Sequence, residues 1–264
     1  MSEELDNKKV EKIKLPQSYG IKQLKSIRYK VFEFVGKWFM LLGKPEKGVT
    51  WFIWGNSGNG KSTACAIIAY MLAQNTKVLY LALEEKRGKS IRSKLLEVGF
   101  NDDSKNFQLL AKSSYSELVQ RLHKRNSEEV IIIDSLQYWG ISYKQYQQLI
   151  ETFPDKTFIF VSHARGKDPK GATADSIHYD AGIKIWVEGG RIEVKHRFEG
   201  GGGQMVVIPE LAERYWNDDG SRNDEETIRI LMQFIIKNKL LSFLRPFVEN
   251  MGYTLAQLNL KVKD

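Results

Sequence analysis

The stretch Ile53–Thr63, IWGNSGNGKST, limits the folds open to this chain more than any other feature. Gly55-Asn56-Ser57-Gly58-Asn59-Gly60-Lys61-Ser62 satisfies G-x-x-x-x-G-K-[ST] in full. Its glycines reach backbone conformations closed to other residues, so successive N–H groups can turn inward on phosphate oxygens. An apolar run, VTWFIW (49–54), precedes the loop, and an alanine-rich segment, KSTACAIIAYMLAQ (61–74), follows it. That order reads as strand, loop and helix, and the helix N-terminus adds its positive dipole end to the site. The nucleotide-binding set is then Gly55, Asn56, Ser57, Gly58, Asn59, Gly60, Lys61, Ser62 and Thr63. Lys61 is expected at the β- and γ-phosphates and Ser62 as a ligand of Mg²⁺. A loop of this kind holds a nucleoside triphosphate, and ATP is the expectation.

Downstream, apolar strands and helices alternate. KVLYLAL (77–83), NFQLL (106–110), VIIID (130–134) and TFIFVSH (157–163) read as strands, with KSIRSKLLEVG, SYSELVQRLHKR and YKQYQQLIETF as helices between them. Strands without polar alternation, separated by helices, predict an α/β fold with a mostly parallel sheet covered on both faces. After Gly182 the style changes. IKIWVEGGRIEVKHRF reads as two strands joined at Glu188-Gly189-Gly190, and QMVVI as a third, forming an antiparallel extension.

The ends read differently. Residues 1–16 read as a mobile tail. Ile21, Leu24, Ile27, Val31 and Phe34 form one stripe that predicts a single short N-terminal helix over 19–38, packed on the edge of the core. Residues 217–226 read as a polar linker before an apolar helix, TIRILMQFIIKNKLLSFL, and a C-terminal tail. The expected organisation is a basic N-terminal tail and helix (1–48), an ATPase core (49–208), and a linker with a C-terminal helical extension (209–264).

A phosphate loop alone does not separate a kinase from a motor, so the acids decide. Asp134 ends VIIID, where a carboxylate would hold Mg²⁺ with Ser62. Glu84 ends KVLYLAL, and the C-terminal ends of strands gather at the ligand crevice of an open α/β sheet. A glutamate there suits activation of an attacking water. Glu85 is its competitor, because a one-residue slip turns the side chain away. His163 ends TFIFVSH, a further crevice position, from which it can sense the γ-phosphate. The segment that follows, ARGKDPKGATADSIHYDA (164–181), reads as a flexible loop carrying Arg165, Lys167 and Lys170, suited to phosphates of a nucleic acid.

VLYLALEE, IIIDSLQYW, FIFVSHARGK and IEVKHRF stand in the order of the core motifs of RecA-fold ATPases. They look most like the branch containing replicative DnaB-type helicases, RadA and KaiC. The likeness covers about residues 36–208. It implies a RecA-like fold, with Glu84 as catalytic glutamate and DSLQ (134–137) as the extension of the Mg²⁺-binding acid strand. Lys195-His196-Arg197-Phe198 resembles the K-x-R segment whose cations, in that family, reach the nucleotide of a neighbouring subunit. Lys195 and Arg197 would then act in trans, within a hexamer or filament. Where these proteins usually carry a glutamine-type sensor, this chain has His163.

The composition agrees with such a role. A formal charge of +8 favours polyanionic partners, with Lys8, Lys9, Lys12, Lys14, Lys22, Lys25, Arg28 and Lys30 supplying much of the excess. The single cysteine, Cys65, leaves no internal disulfide framework and no multi-cysteine zinc site. The start MSEELDNKKVEK has no apolar core of a signal peptide, and no apolar run approaches a membrane span of roughly 20 residues. The expectation is a cytoplasmic, Mg²⁺-dependent ATPase, without membrane contact, acting on single-stranded DNA in recombination or replication as a homo-oligomer. A protein of those processes is a further expected partner. The alternatives are an ATP-switched loader or scaffold whose main partner is another protein, and a small-molecule kinase.

Overall fold

The structure, a computed structural model, describes residues 18–198, 201–217, 220 and 222. The expected tail 1–16, most of the linker 217–226, the apolar helix after it and the C-terminal tail lie outside the described residues. The chain divides into two compact units at Lys30 and Val31. The described part of the first unit holds α1 (Ile21–Ser26), none of whose residues is buried.

The second unit begins with an extended segment and α2 (Gly36–Leu42). Strands and helices then alternate: β1 (Trp51–Gly55), α3 (Lys61–Ala73), β2 (Val78–Ala82), α4 (Lys89–Glu97), β3 (Phe107–Leu110), α5 (Tyr115–Leu122) and β4 (Val130–Asp134). Next come α6 (Leu136–Trp139), α7 (Tyr143–Thr152), β5 (Thr157–Arg165), β6 (Asp168–Pro169), α8 (Ala172–Asp180), β7 (Ile183–Glu188), β8 (Arg191–His196), β9 (Gly203–Val206) and α9 (Pro209–Tyr215). Among the described residues these nine strands form one mixed sheet of order β3-β2-β4-β5-β1-β7-β8-β9, with the two-residue β6 paired to β5.

From β3 to β7 every neighbouring pair is parallel, and β7-β8-β9 is the antiparallel extension. The physical cause is the one read from the sequence: β1, β2 and β4 are buried along their whole length. Such strands need helices on both faces. One core layer packs Trp51, Ile53, Tyr80 and Ile132 against α2, α3 and α4. The other packs Phe52, Leu79, Ile133 and Phe160 against α5, α7 and α8. No helix among the described residues is long and apolar enough to cross a membrane.

Two expectations are corrected. The single helix over 19–38 is broken into α1 and α2 around extended backbone, where Val31 bridges Glu46 and the Phe32 N–H donates to the Pro45 carbonyl at 2.9 Å. There the burial alternates: Phe32 and Phe34 stack on each other and meet Trp51 edge-on, while Glu33 and Val35 face out. Ile27, Val31 and Phe34 fitted a helical stripe, but β-branched and aromatic residues suit extended backbone, and pairing with 45–46 decides for it. The segment 164–181 is also no open loop. Its first half is the β5–β6 hairpin, and its second half is α8, which buries Ala174 and Ile177 in the core.

The sheet meets the loop 55–60 so closely that one residue admits no substitute. A Cβ built on Gly55 would stand 2.2 Å from the Val187 carbonyl oxygen of the neighbouring strand, a backbone atom that cannot move alone. Gly55→Ala is expected to cost about 3 kcal/mol of stability through this overlap. A shift of the denaturant midpoint measures it, and an unchanged midpoint would refute the close approach.

Candidate functional site

The parallel strands β1, β2, β4 and β5 point their C-terminal ends at one edge of the sheet. Gly55, Glu84, Asp134 and His163 all emerge there. Gly58 and Gly60 take positive φ angles of 79° and 95°, and Gly60 caps the N-terminus of α3. The loop is braced from β7–β8: the Gly189 N–H donates to Asn59 Oδ1 at 2.8 Å, and Ile208 lies over Gly60. Trp186, Tyr215 and Arg222 all donate to the buried carboxylate of Glu188, which holds the segment around α9 against this turn.

Lys61 opens α3, and its ammonium donates to the Asn56 carbonyl at 2.9 Å, folding back over the loop. Burial lowers its pKa, and Cys65, Glu84 and Asp134 offset that only in part. The ammonium is thus held by the loop while the charges of Glu84 and Asp134 act on it. Thr63 is placed differently from its neighbours: it lines a groove of about 1160 Å³ along α3, together with Phe34, Trp38, Ile67, Met71 and Ile208.

Asp134 is 8% exposed, and the Tyr80 hydroxyl on β2 donates to its Oδ2 at 2.7 Å. Burial raises its pKa to about 6, against the lowering effect of the Tyr80 bond, and the charges of Glu84 and Glu85 raise it further. Tyr80 thus takes one of the two carboxylate oxygens. Among the described residues no three His, Cys, Asp or Glu form a metal cage. Mg²⁺ in a nucleotide site does not need one, because it keeps several waters and takes its other ligands from phosphates. The hard oxygen donors Ser62 and Asp134 fit it.

The two glutamates go to different partners. The Glu84 backbone N–H donates to the Asp134 carbonyl at 3.2 Å, which ties its turn to the acid strand. Its Oε2 lies 2.9 Å from His163 Nε2 and 3.4 Å from the Ser135 hydroxyl. Glu85 Oε1 instead meets the Lys94 ammonium of α4 at 2.7 Å. Burial alone would raise the Glu85 carboxyl, but hydrogen bonding to Lys94, Ser90 and Ser62 outweighs it and the pKa is lowered.

Beside this centre lies a residue with no role in the sequence reading. The Gln137 amide donates from Nε2 to Ser162 Oγ at 2.8 Å and to the Lys170 carbonyl at 2.9 Å. Its Oε1 accepts from the His163 N–H at 3.1 Å. A second tie comes from the loop after β1, where Asn56 Nδ2 donates to the Gly166 carbonyl at 2.9 Å. A third is Trp54 Nε1 to the Lys167 carbonyl at 2.8 Å. The hairpin carrying Arg165, Lys167 and Lys170 is thereby fastened to both β1 and α6. DSLQ held the signal for Gln137, but only the fold brings it to the hairpin.

Lys195 and Arg197 are not brought to this site. Through β7, Lys195 is level with Phe52, and Arg197 lies beyond His196, which is level with Trp51. At about 3.3 Å per residue, that sets Arg197 roughly 16 Å from Gly55 along the strands. Both side chains are exposed at the opposite end of the sheet, and Lys195 pairs with Glu193 on its own strand.

No family model matches this chain, and no curated protein matches it. The class that fold and site define is an α/β domain with a mostly parallel central sheet, a G-x-x-x-x-G-K-S loop between β1 and α3, and acids at the neighbouring strand ends.

Proposed function

We propose that this chain binds and hydrolyses ATP with Mg²⁺ as a RecA/DnaB-like ATPase, acting in a DNA transaction as an oligomer assembled on single-stranded DNA. The observation that carries the reading is the convergence of Lys61, Glu84, Asp134 and His163 at one sheet edge, from four separate segments of the chain. Lys61 and the loop N–H groups bind the phosphates, and Ser62 and Asp134 would hold Mg²⁺, which would supply charge neutralisation to them. Glu84 takes a proton from a water whose oxygen attacks the γ-phosphorus. The bond from that phosphorus to the β–γ bridging oxygen breaks, leaving ADP and phosphate. His163 Nε2 pairs with Glu84, and an arriving γ-phosphate competes with that carboxylate for the imidazole. Because Gln137 and Lys170 hold the His163 backbone, this exchange has a path to the basic hairpin.

The position of Lys195 and Arg197 favours a site completed between subunits. Neither can serve its own phosphate loop, so Arg197→Ala is expected to spare ATP affinity while removing turnover of the assembled protein. Mixing it with Lys61→Ala subunits should restore part of the activity, since a Lys61-intact loop then meets an intact Arg197. No recovery at any mixing ratio would count against a shared site.

Steady-state ATP hydrolysis at rising protein concentration, with and without single-stranded DNA, tests the whole reading. Turnover that rises steeply with concentration and is stimulated by DNA is the expected result. Turnover indifferent to DNA would transfer the role to a protein-directed loader or scaffold, and phosphate transfer to a small acceptor would make the chain a kinase.

A further inference from the structure

Among the described residues Tyr138 and Tyr179 are the two most exposed aromatic residues of the second unit, and Tyr138 is the one that lies against His163. It lies on the four-residue helix α6, whose other large side chains turn inward. Leu136 is buried in the core, and Trp139 packs on Tyr115 while its indole N–H donates to the Ser113 carbonyl at 3.1 Å. Tyr138 points the other way and is 60% exposed. Its ring meets His163 edge-on with centroids 6.3 Å apart. The adjacent Gln137 holds the Lys170 carbonyl, so Tyr138 and the hairpin share one rim. On that rim Arg165, Lys167 and Lys170 are exposed, and no ion pair among the described residues neutralises them.

An exposed aromatic face beside unpaired cations matches the chemistry of one ligand class. Single-stranded nucleic acids are held by cations along the backbone and by aromatic side chains on which unpaired bases stack. A duplex keeps its bases stacked on each other and offers such a ring no free face. We infer that Tyr138 is the base-stacking platform of a single-strand site whose phosphates run along Arg165, Lys167 and Lys170. Gln137 keeps platform and cations in register, and the edge contact to His163 places the stacked base one side chain from the γ-phosphate sensor. The inference rests on the nucleic-acid reading above and adds its contact residue.

Binding of the full chain to a fluorescent single-stranded oligonucleotide, an abasic strand of equal length and a duplex, each over a range of salt, tests it. Tyr138→Ala is expected to weaken single-strand binding roughly tenfold, while Tyr138→Phe keeps it. The salt slope should not change, because no phosphate contact is lost, whereas Lys167→Ala should lower it by about one. The abasic strand and the duplex should bind wild type and Tyr138→Ala alike. Equal single-strand affinity of wild type and Tyr138→Ala would overturn the platform and leave the nucleic-acid reading standing. An equal loss toward all three ligands would make Tyr138 a scaffold residue and overturn it too. Failure of the wild type to bind any single strand would overturn both readings.

Discussion

Glu84→Gln should bind ATP as the wild type does and hydrolyse it about a hundredfold more slowly or worse. The amide keeps the shape of the side chain and its reach to His163 but cannot take a proton, and loss of a positioned base costs on the order of 10²–10⁴ in rate. The expectation is specific to one of two adjacent acids. Glu84 faces His163 and Ser135, whereas Glu85 is held by Lys94. Glu85→Gln should therefore disturb the α4 contact more than the chemistry, with nucleotide affinity and thermal stability moving before the rate of a saturated enzyme. Single-turnover hydrolysis, beside nucleotide titration of each variant, separates the two. A normal rate in Glu84→Gln with a lost rate in Glu85→Gln would reverse the assignment.

Asp134→Asn should have two opposite effects. It removes the carboxylate that would share the metal ion with Ser62, so Mg²⁺-dependent turnover is expected to vanish. It should also stabilise the nucleotide-free protein at neutral pH. Burial raises the Asp134 pKa from 3.8 to about 6, so the native fold holds the charged form at a cost. That cost is absent below the unfolded pKa, grows as pH rises through the interval between the two values, and is complete above about 6. A gap of roughly two units corresponds to at most about 3 kcal/mol. The Tm advantage of Asp134→Asn should accordingly be largest near pH 8 and disappear near pH 3.5. A variant less stable than wild type at pH 8 would show that Tyr80 and its neighbours favour the ionised form after all. The arrangement is one in which function retains a charge that folding alone would discard.

Much of this architecture was legible in one dimension because it depends on local chemistry. The apolar strands from Val78 to Asp134 fall within a residue of their expected bounds and the helices between them within three, since burial on both faces leaves little polar alternation to misread. Gly58 and Gly60 take the backbone angles their motif requires. Glu84, Asp134 and His163 could be picked out as strand-end residues before any pairing was known, because parallel strands present the same end to the ligand crevice.

What escaped such reading was set by partners far away in the chain. The stripe from Ile21 to Phe34 fitted a helix, and it breaks because Phe32 finds Pro45 and Trp51. The basic segment after His163 resembled an open loop, yet Trp54, Asn56 and Gln137 fasten its backbone, and α8 fills the core behind it. Glu84 and Glu85 were interchangeable on paper until His163 and Lys94 claimed one each. The glycine-rich turn between β1 and α3, the strand order of acids and the α/β class follow from periodicity, glycine stereochemistry and charge, all properties of neighbouring residues. The pairing of Tyr80 with Asp134, the ties of Gln137 to the hairpin and the distance of Arg197 from its own loop depend on contacts between residues 11 to more than 100 positions apart, which exist only once the sheet has assembled.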